Sequence, residues 1–203
     1  TFKLGDPRCA VLLRYAGDLR DCAAAGMVLY VPAGRSPLEP HVLCNDEDRR
    51  LSFGVDKYEF PNQAGAAPQT NASWLEAREA CRRQGKRLCA RNEWLEACRG
   101  TDRINRWPYG LQAQEGLCNT KSAAPAPAGS FPKCVNGLGL YDMSGNAAEW
   151  VDDGGPEDRP DGWAYGGAFD SSAENAACES KLTLARAAAP CPRVGFRCCK
   201  SLK

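Results

Sequence analysis

Residues 139–150, Gly139-Leu140-Tyr141-Asp142-Met143-Ser144-Gly145-Asn146-Ala147-Ala148-Glu149-Trp150, put two glycines, an Asn and two carboxylates into one short tract among apolar residues. Hard cations take oxygen ligands from carboxylates, amides and backbone carbonyls, and glycine lets a chain turn tightly around an ion. The tract offers all of these within one loop. The rest of the chain decides whether it is a metal loop or part of the architecture.

Outward from this tract, 203 residues suffice for one domain with a substantial core. A formal net charge of +1 gives no global field to recruit nucleic acid or an anionic membrane. The tightest basic cluster, Arg82-Arg83 to Lys86-Arg87, falls at a predicted helix end, where cations complement orphan carbonyls and the helix dipole. No apolar run approaches the roughly 18 residues of a membrane span. Thr1 as first residue points to a trimmed start.

Twelve cysteines are spread from Cys9 to Cys199. No C-x-x-C is present and His41 is the only histidine, so zinc and dithiol redox motifs are missing. The count predicts structural disulfides in an oxidising, extracytoplasmic compartment: periplasm, secreted or cell surface.

Residues 1–25 read as an extension, with Cys9 and Cys22 close enough to close a loop, and residues 26–203 as a single domain. Strands are predicted over Met27–Gly34 and Leu51–Phe60. Ser73 and Glu76 form a capping box that opens a helix carrying Trp74, Ala77 and Cys81 on one face and ending at Gly85. A second helix is predicted from Asn92 to Cys98, stopped by Gly100. Beyond residue 100, Gly, Pro, Asn and Ser dominate, which predicts loops and short strands. Asn71-Ala72-Ser73 is also a glycosylation sequon, but it coincides with the helix cap, which accounts for it.

Several segments then coincide in order: Asp56-Lys57-Tyr58-Glu59-Phe60-Pro61-Asn62, Ser73-Trp74-Leu75-Glu76-Ala77, Gly85-Lys86-Arg87-Leu88, Asn92-Glu93-Trp94 through Gly100, Trp107-Pro108-Tyr109-Gly110, Cys118-Asn119, the 139–150 tract, Gly166-Gly167-Ala168-Phe169 and Gly195-Phe196-Arg197-Cys198. Together they resemble the formylglycine-generating enzyme (sulfatase-modifying factor) family over roughly residues 27–199. The resemblance implies an α+β, C-type-lectin-like fold, coil-rich, with two main helices, short antiparallel strands and several disulfides. It also implies two bridges, Cys81–Cys198 and Cys98–Cys178. Cys118–Cys134 and Cys9–Cys22 are expected as short-range pairs, while Cys44, Cys89, Cys191 and Cys199 can pair three ways.

The family's enzyme is a copper-dependent oxidase with two cysteines five residues apart after its Gly-Gly segment, and paired thiolates suit Cu(I). Here those positions are Ser171 and Ala176, and counting back from Gly195 also finds no cysteine pair. Copper is therefore not expected. Cys178 and the Cys198-Cys199 dipeptide are the only candidates for a relocated thiol site. The family's iron-dependent sulfoxide synthases need a histidine triad, which one histidine cannot supply.

The resemblance carries a calcium site onto the opening tract, with the Asp142 side chain, the Gly145 and Ala147 carbonyls and the Glu149 carboxylate as ligands, and a structural role. The competing reading has Asp142 capping a turn and Glu149 paired with an arginine such as Arg197. A second family calcium site starts at Asn119 and Thr120, but residues 123–131 contain no acidic ligand to complete it. Lectin-type sugar motifs are absent. The expectation is a non-catalytic, disulfide-stapled binding or structural module with a protein partner in a larger extracytoplasmic assembly. The alternatives are a copper oxidase with a relocated thiol site and a peptide-binding receptor whose groove takes in Trp163, Tyr165 and Ser171.

Overall fold

The computed structural model describes residues 24, 26–30, 53–102, 104–154, 161–185 and 191–201. The predicted 1–25 extension, apart from residue 24, with its Cys9–Cys22 pair, and also Cys44, lie outside these residues.

The capping box operates as the sequence predicts. Ser73 Oγ accepts from the Glu76 amide at 3.3 Å, and Glu76 Oε2 accepts from the Ser73 amide at 2.8 Å. Helix α1 follows over Trp74–Arg83 and buries Trp74, Ala77, Ala80 and Cys81. Helix α2, Arg91–Arg99, starts one residue earlier than predicted. Its first amides lack a side-chain cap from Ala90, and Glu93 instead reaches back to the Ala90 amide at 2.8 Å while pairing with Arg87 at 2.6 Å.

The strands are short: β1 Met27–Tyr30, β2 Phe53–Asp56, β3 Arg87–Leu88, β4 Ala148–Trp150, β5 Asp161–Tyr165, β6 Lys181–Ala185, β7 Val194–Gly195 and β8 Cys198–Ser201. β2 ends at Asp56, short of the predicted Phe60, because the chain turns there: Asn62 Oδ1 accepts from the Tyr58 amide and the Asn62 amide donates to the Glu59 carbonyl. The strands form two four-stranded sheets, ordered β1-β2-β8-β3 and β6-β5-β4-β7. All pairs are antiparallel except β4 with β7, which are parallel.

β8 runs between β2 and β3, and its first two residues bond to different partners. Successive side chains of a strand point to opposite faces. Cys198 accordingly bonds Cys81 of α1 among Trp74, Trp150 and Phe196, and Cys199 bonds Cys89 among Phe53, Val55 and Trp94. Cys98–Cys178 ties α2 to the 3₁₀ turn region after Glu174–Ala176, and Cys118–Cys134 closes the long loop. The two bridges implied by the resemblance and the Cys118–Cys134 pair are all present. Of the four cysteines left open, Cys89 and Cys199 pair with each other.

Four tryptophans, Trp74, Trp94, Trp107 and Trp150, are at most 5% exposed, and each indole N–H finds an acceptor: the Val151 carbonyl, Glu149, the Ala173 carbonyl and the Ala72 carbonyl. Burying a large aromatic while satisfying its one polar atom is what a core tryptophan requires. These bonds join both helices to β4 and its neighbours, and Trp107 to the turn before Glu174–Ala176.

Candidate functional site

The 139–150 tract leads into β4 and converges on Arg197, between β7 and β8. Arg197 is fully buried and all five of its N–H donors are taken. Nε and one Nη2 hydrogen meet the two Glu149 oxygens at 2.7 Å, and the others go to the carbonyls of Asp56, Lys57 and Tyr141 at 3.0, 3.3 and 2.8 Å. Glu149 Oε2 also accepts from the Trp94 indole at 2.6 Å. This one side chain holds together the end of β2, the turn at Tyr141 and the middle of β4.

Around it lie more acids than bases. Glu59, fully buried, accepts from Asn146 Nδ2 at 2.6 Å and the Ala147 amide at 3.0 Å. Burial, and then the neighbouring Asp142 and Glu149, push its carboxyl well above the ordinary range. Asp142 accepts from the Gly129 amide at 2.7 Å, and burial pushes it up to about 6 despite that bond and Arg197. Asp56 meets Lys86 at 2.7 Å and the Cys198 amide at 3.2 Å, yet burial still raises it. Asn146 is the neutral hub: its Oδ1 accepts from Asn119 Nδ2 and the Ala126 amide, both at 2.8 Å. Gly145 is required beside it, because it adopts φ +71° and a Cβ there would lie 2.4 Å from the Asn119 carbonyl oxygen.

This arrangement bears on the calcium ligands that the resemblance implies. Both Glu149 oxygens are committed to Arg197, which leaves Asp142 and two carbonyls where calcium wants six to eight oxygens. Among the described residues no three His, Cys, Asp or Glu side chains lie close enough to share a metal. As placed here, Glu149 is taken by Arg197 and is not free to serve as the fourth ligand. The competing reading describes the geometry instead: Asp142 caps the Gly129 turn and Glu149 pairs with Arg197. The Asn119–Thr120 pair fits no better. Asn119 directs its amide to Ala124 and Asn146, and Thr120 Oγ1 is buried without a partner, with no carboxylate between the bridged Cys118 and Cys134.

Ser171 is half-buried and lines a cleft of about 430 Å³ at the end of the second sheet, where β4, β6 and β7 begin. Its Oγ accepts from the Ala168 amide at 3.0 Å. Arg193 and Asp170 pair across the rim at 3.0 Å, and Ser172, Asn175 and Ser180 add polar groups. Ala176 is fully buried under Gly167, where a Cβ on the glycine would come within 3.1 Å of its methyl. The relocated-thiol candidates Cys178, Cys198 and Cys199 each sit in a disulfide. Among the described cysteines only the half-buried Cys191 carries a thiol.

Trp163, Tyr165 and Ser171 do not form one groove. Tyr165 is 3% exposed in the core, and Trp163 alternates with Ala164 so that it faces away from the Leu182 side lining the cleft. Residues 155–160, in the loop before Trp163, lie outside the described residues.

A family model described as the sulfatase-modifying factor enzyme 1-like domain matches residues 45–202. The inactive C-alpha-formylglycine-generating enzyme 2 of Bos taurus is 33% identical over 102 residues, covering 41% of this chain and 32% of that protein. The formylglycine-generating enzyme of Bos taurus is also 33% identical over 102 residues, covering 42% of this chain and 27% of its own length. The serine/threonine-protein kinase Pkn1 of Chlamydia trachomatis is 35% identical over 86 residues, 42% of this chain and 14% of the kinase. The matches thus span a third or less of these curated relatives. In fold the chain is similar to PvdO from Pseudomonas aeruginosa (TM-score 0.60, 18% identity, 74% of this chain and 81% of that one) and to CarF (0.59, 18%, 75% and 87%).

Proposed function

This chain belongs to the sulfatase-modifying factor enzyme 1-like family, and we propose that its role within the family is non-catalytic: a disulfide-stabilised binding or structural module working outside the cytoplasm, in an assembly with a protein partner. The observation that carries this reading is the pair of side chains at the positions of the family's copper thiols. A serine hydroxyl tied to the Ala168 amide and a buried alanine methyl offer Cu(I) no thiolate. Active and inactive formylglycine-generating enzymes are similar to this chain to the same degree, so the site residues weigh more than the identity.

Four disulfides among the described residues support the compartment, because such bridges persist where glutathione does not reduce them. No helix among the described residues is long and apolar enough to cross a membrane.

The test is copper titration against a Cu(I) chelator, together with an aldehyde assay on a cysteine-containing peptide and oxygen. The expected result is no stoichiometric Cu(I) binding and no aldehyde. Copper bound one to one with peptide oxidation overturns the proposal.

A further inference from the structure

On the face of the second sheet that carries Trp163, one indole lies between two cations. Register pairs Tyr165 with Lys181 and Trp163 with Thr183, so Trp163, Tyr165 and Lys181 share a face. Lys181 Nζ lies 4.4 Å from the Trp163 ring centroid and Arg91 Cζ lies 5.5 Å from it. The Arg91 guanidinium is fixed by its Nε, which donates to Tyr165 Oη at 2.9 Å. Both cations are solvent-exposed, and neither has a carboxylate partner among the described residues. The nearby Asp152 has one oxygen taken by the Gly154 amide.

Folding does not ask for this arrangement. Arg91 is the first residue of α2, at the positive end of the helix dipole, where a cation is disfavoured and an acid favoured. Trp163 is half-exposed while the other four tryptophans are buried. Aromatic rings and Arg are enriched at interfaces, and a ring flanked by two cations complements a carboxylate next to an apolar or aromatic side chain.

We propose that Trp163, Arg91 and Lys181 form the docking point for an acidic peptide segment of the partner protein, with acidic side chains meeting the two cations and an apolar residue covering the indole. This rests on the reading of the chain as a binding module and names the partner chemistry. Lys181 also lines the Ser171 cleft, so the docking point adjoins that cleft.

Because the other indoles are buried, fluorescence quenching reports mainly on Trp163, and the intact chain is its own probe. Without any ligand, the ratio of iodide to caesium quenching should exceed that of free tryptophan amide, and Lys181→Glu should lower it. A synthetic peptide alternating Glu, Phe and Asp should then shield Trp163 from acrylamide, more weakly as salt rises. Arg91→Glu and Lys181→Glu, both at exposed positions, should weaken that binding about tenfold or more while leaving the melting temperature near wild type. Trp163→Phe should abolish the optical signal but not binding measured by calorimetry. The proposal is overturned if a Lys/Phe/Arg peptide of equal length binds as well, if the charge-reversed variants bind like wild type, or if only a polysulfated glycan or anionic vesicles shield the indole. None of these outcomes depends on the copper assay, so the two readings fail separately.

Discussion

Replacing Asp142 by Asn tests the buried charge centre directly. The carboxyl rises from an ordinary value of 3.8 to about 6. A raised carboxyl pKa means that the folded state holds its proton more tightly than the unfolded state does. Asp142 therefore costs no stability below about pH 4, weakens the fold progressively as pH climbs toward 6, and has its full effect above about 7. The size of the rise corresponds to about 3 kcal/mol. Asn keeps an acceptor for the Gly129 amide and tolerates the left-handed backbone at φ +57°. Urea denaturation from pH 4 to 8 should give similar stabilities for the two proteins at the acid end. The variant should gain steadily on wild type through pH 5 and 6 and lead by up to about 3 kcal/mol at pH 7, or several degrees in melting temperature. A variant less stable than wild type at pH 7, or a difference that does not change with pH, would refute the reasoning. Loss of stability in the variant, with wild type melting earlier in chelator, would show that Asp142 holds a cation after all.

Three further outcomes follow from the same geometry. EGTA should leave the wild-type melting temperature unchanged, because Glu149 is committed to Arg197. Arg197→Met should cost about 3–5 kcal/mol by stranding Glu149, and adding Glu149→Gln should recover part of that loss; a strictly additive double variant would argue against the pair. Removing Cys118–Cys134, whose cysteines are 16 residues apart, should cost about 3 kcal/mol, less than removing Cys81–Cys198 at 117, where chain entropy predicts about 4.7. Denaturation in urea without reductant measures both, and the opposite order would contradict the entropic account.

Helix α1 was readable because its signals are local: cap, capping-box glutamate and apolar stripe all fall within ten residues. The Cys81–Cys198 and Cys98–Cys178 bridges came from the resemblance, and no sequence signal chose Cys89 for Cys199. That pairing depends on which face each residue of β8 presents, and so on strand register. Glu149–Arg197 was one of two readings of the central tract, separable only when the chain brings residues 48 apart into contact. Trp163 and Ser171 seemed to share a groove because they are near in sequence. The alternation of β5 and the turn after Tyr165 send them to different surfaces. Arg91 gave no signal at all, since its meaning depends on Trp163 and Tyr165 more than seventy residues later.

The adjacent cysteines of β8 set a condition on oxidative folding. A slip of one residue would turn Cys198 toward the partner of Cys199 and the reverse, and every other side chain of the strand would change faces with them. Oxidation in that state would lock the error covalently. The native pairs can be made safely only after β2 and β3 have fixed the strand between them, or where a disulfide isomerase can undo an early mistake. Two neighbouring thiols thus act as a proofreading mark for register, and a host without isomerase is expected to yield a mixture of isomers separable under non-reducing conditions.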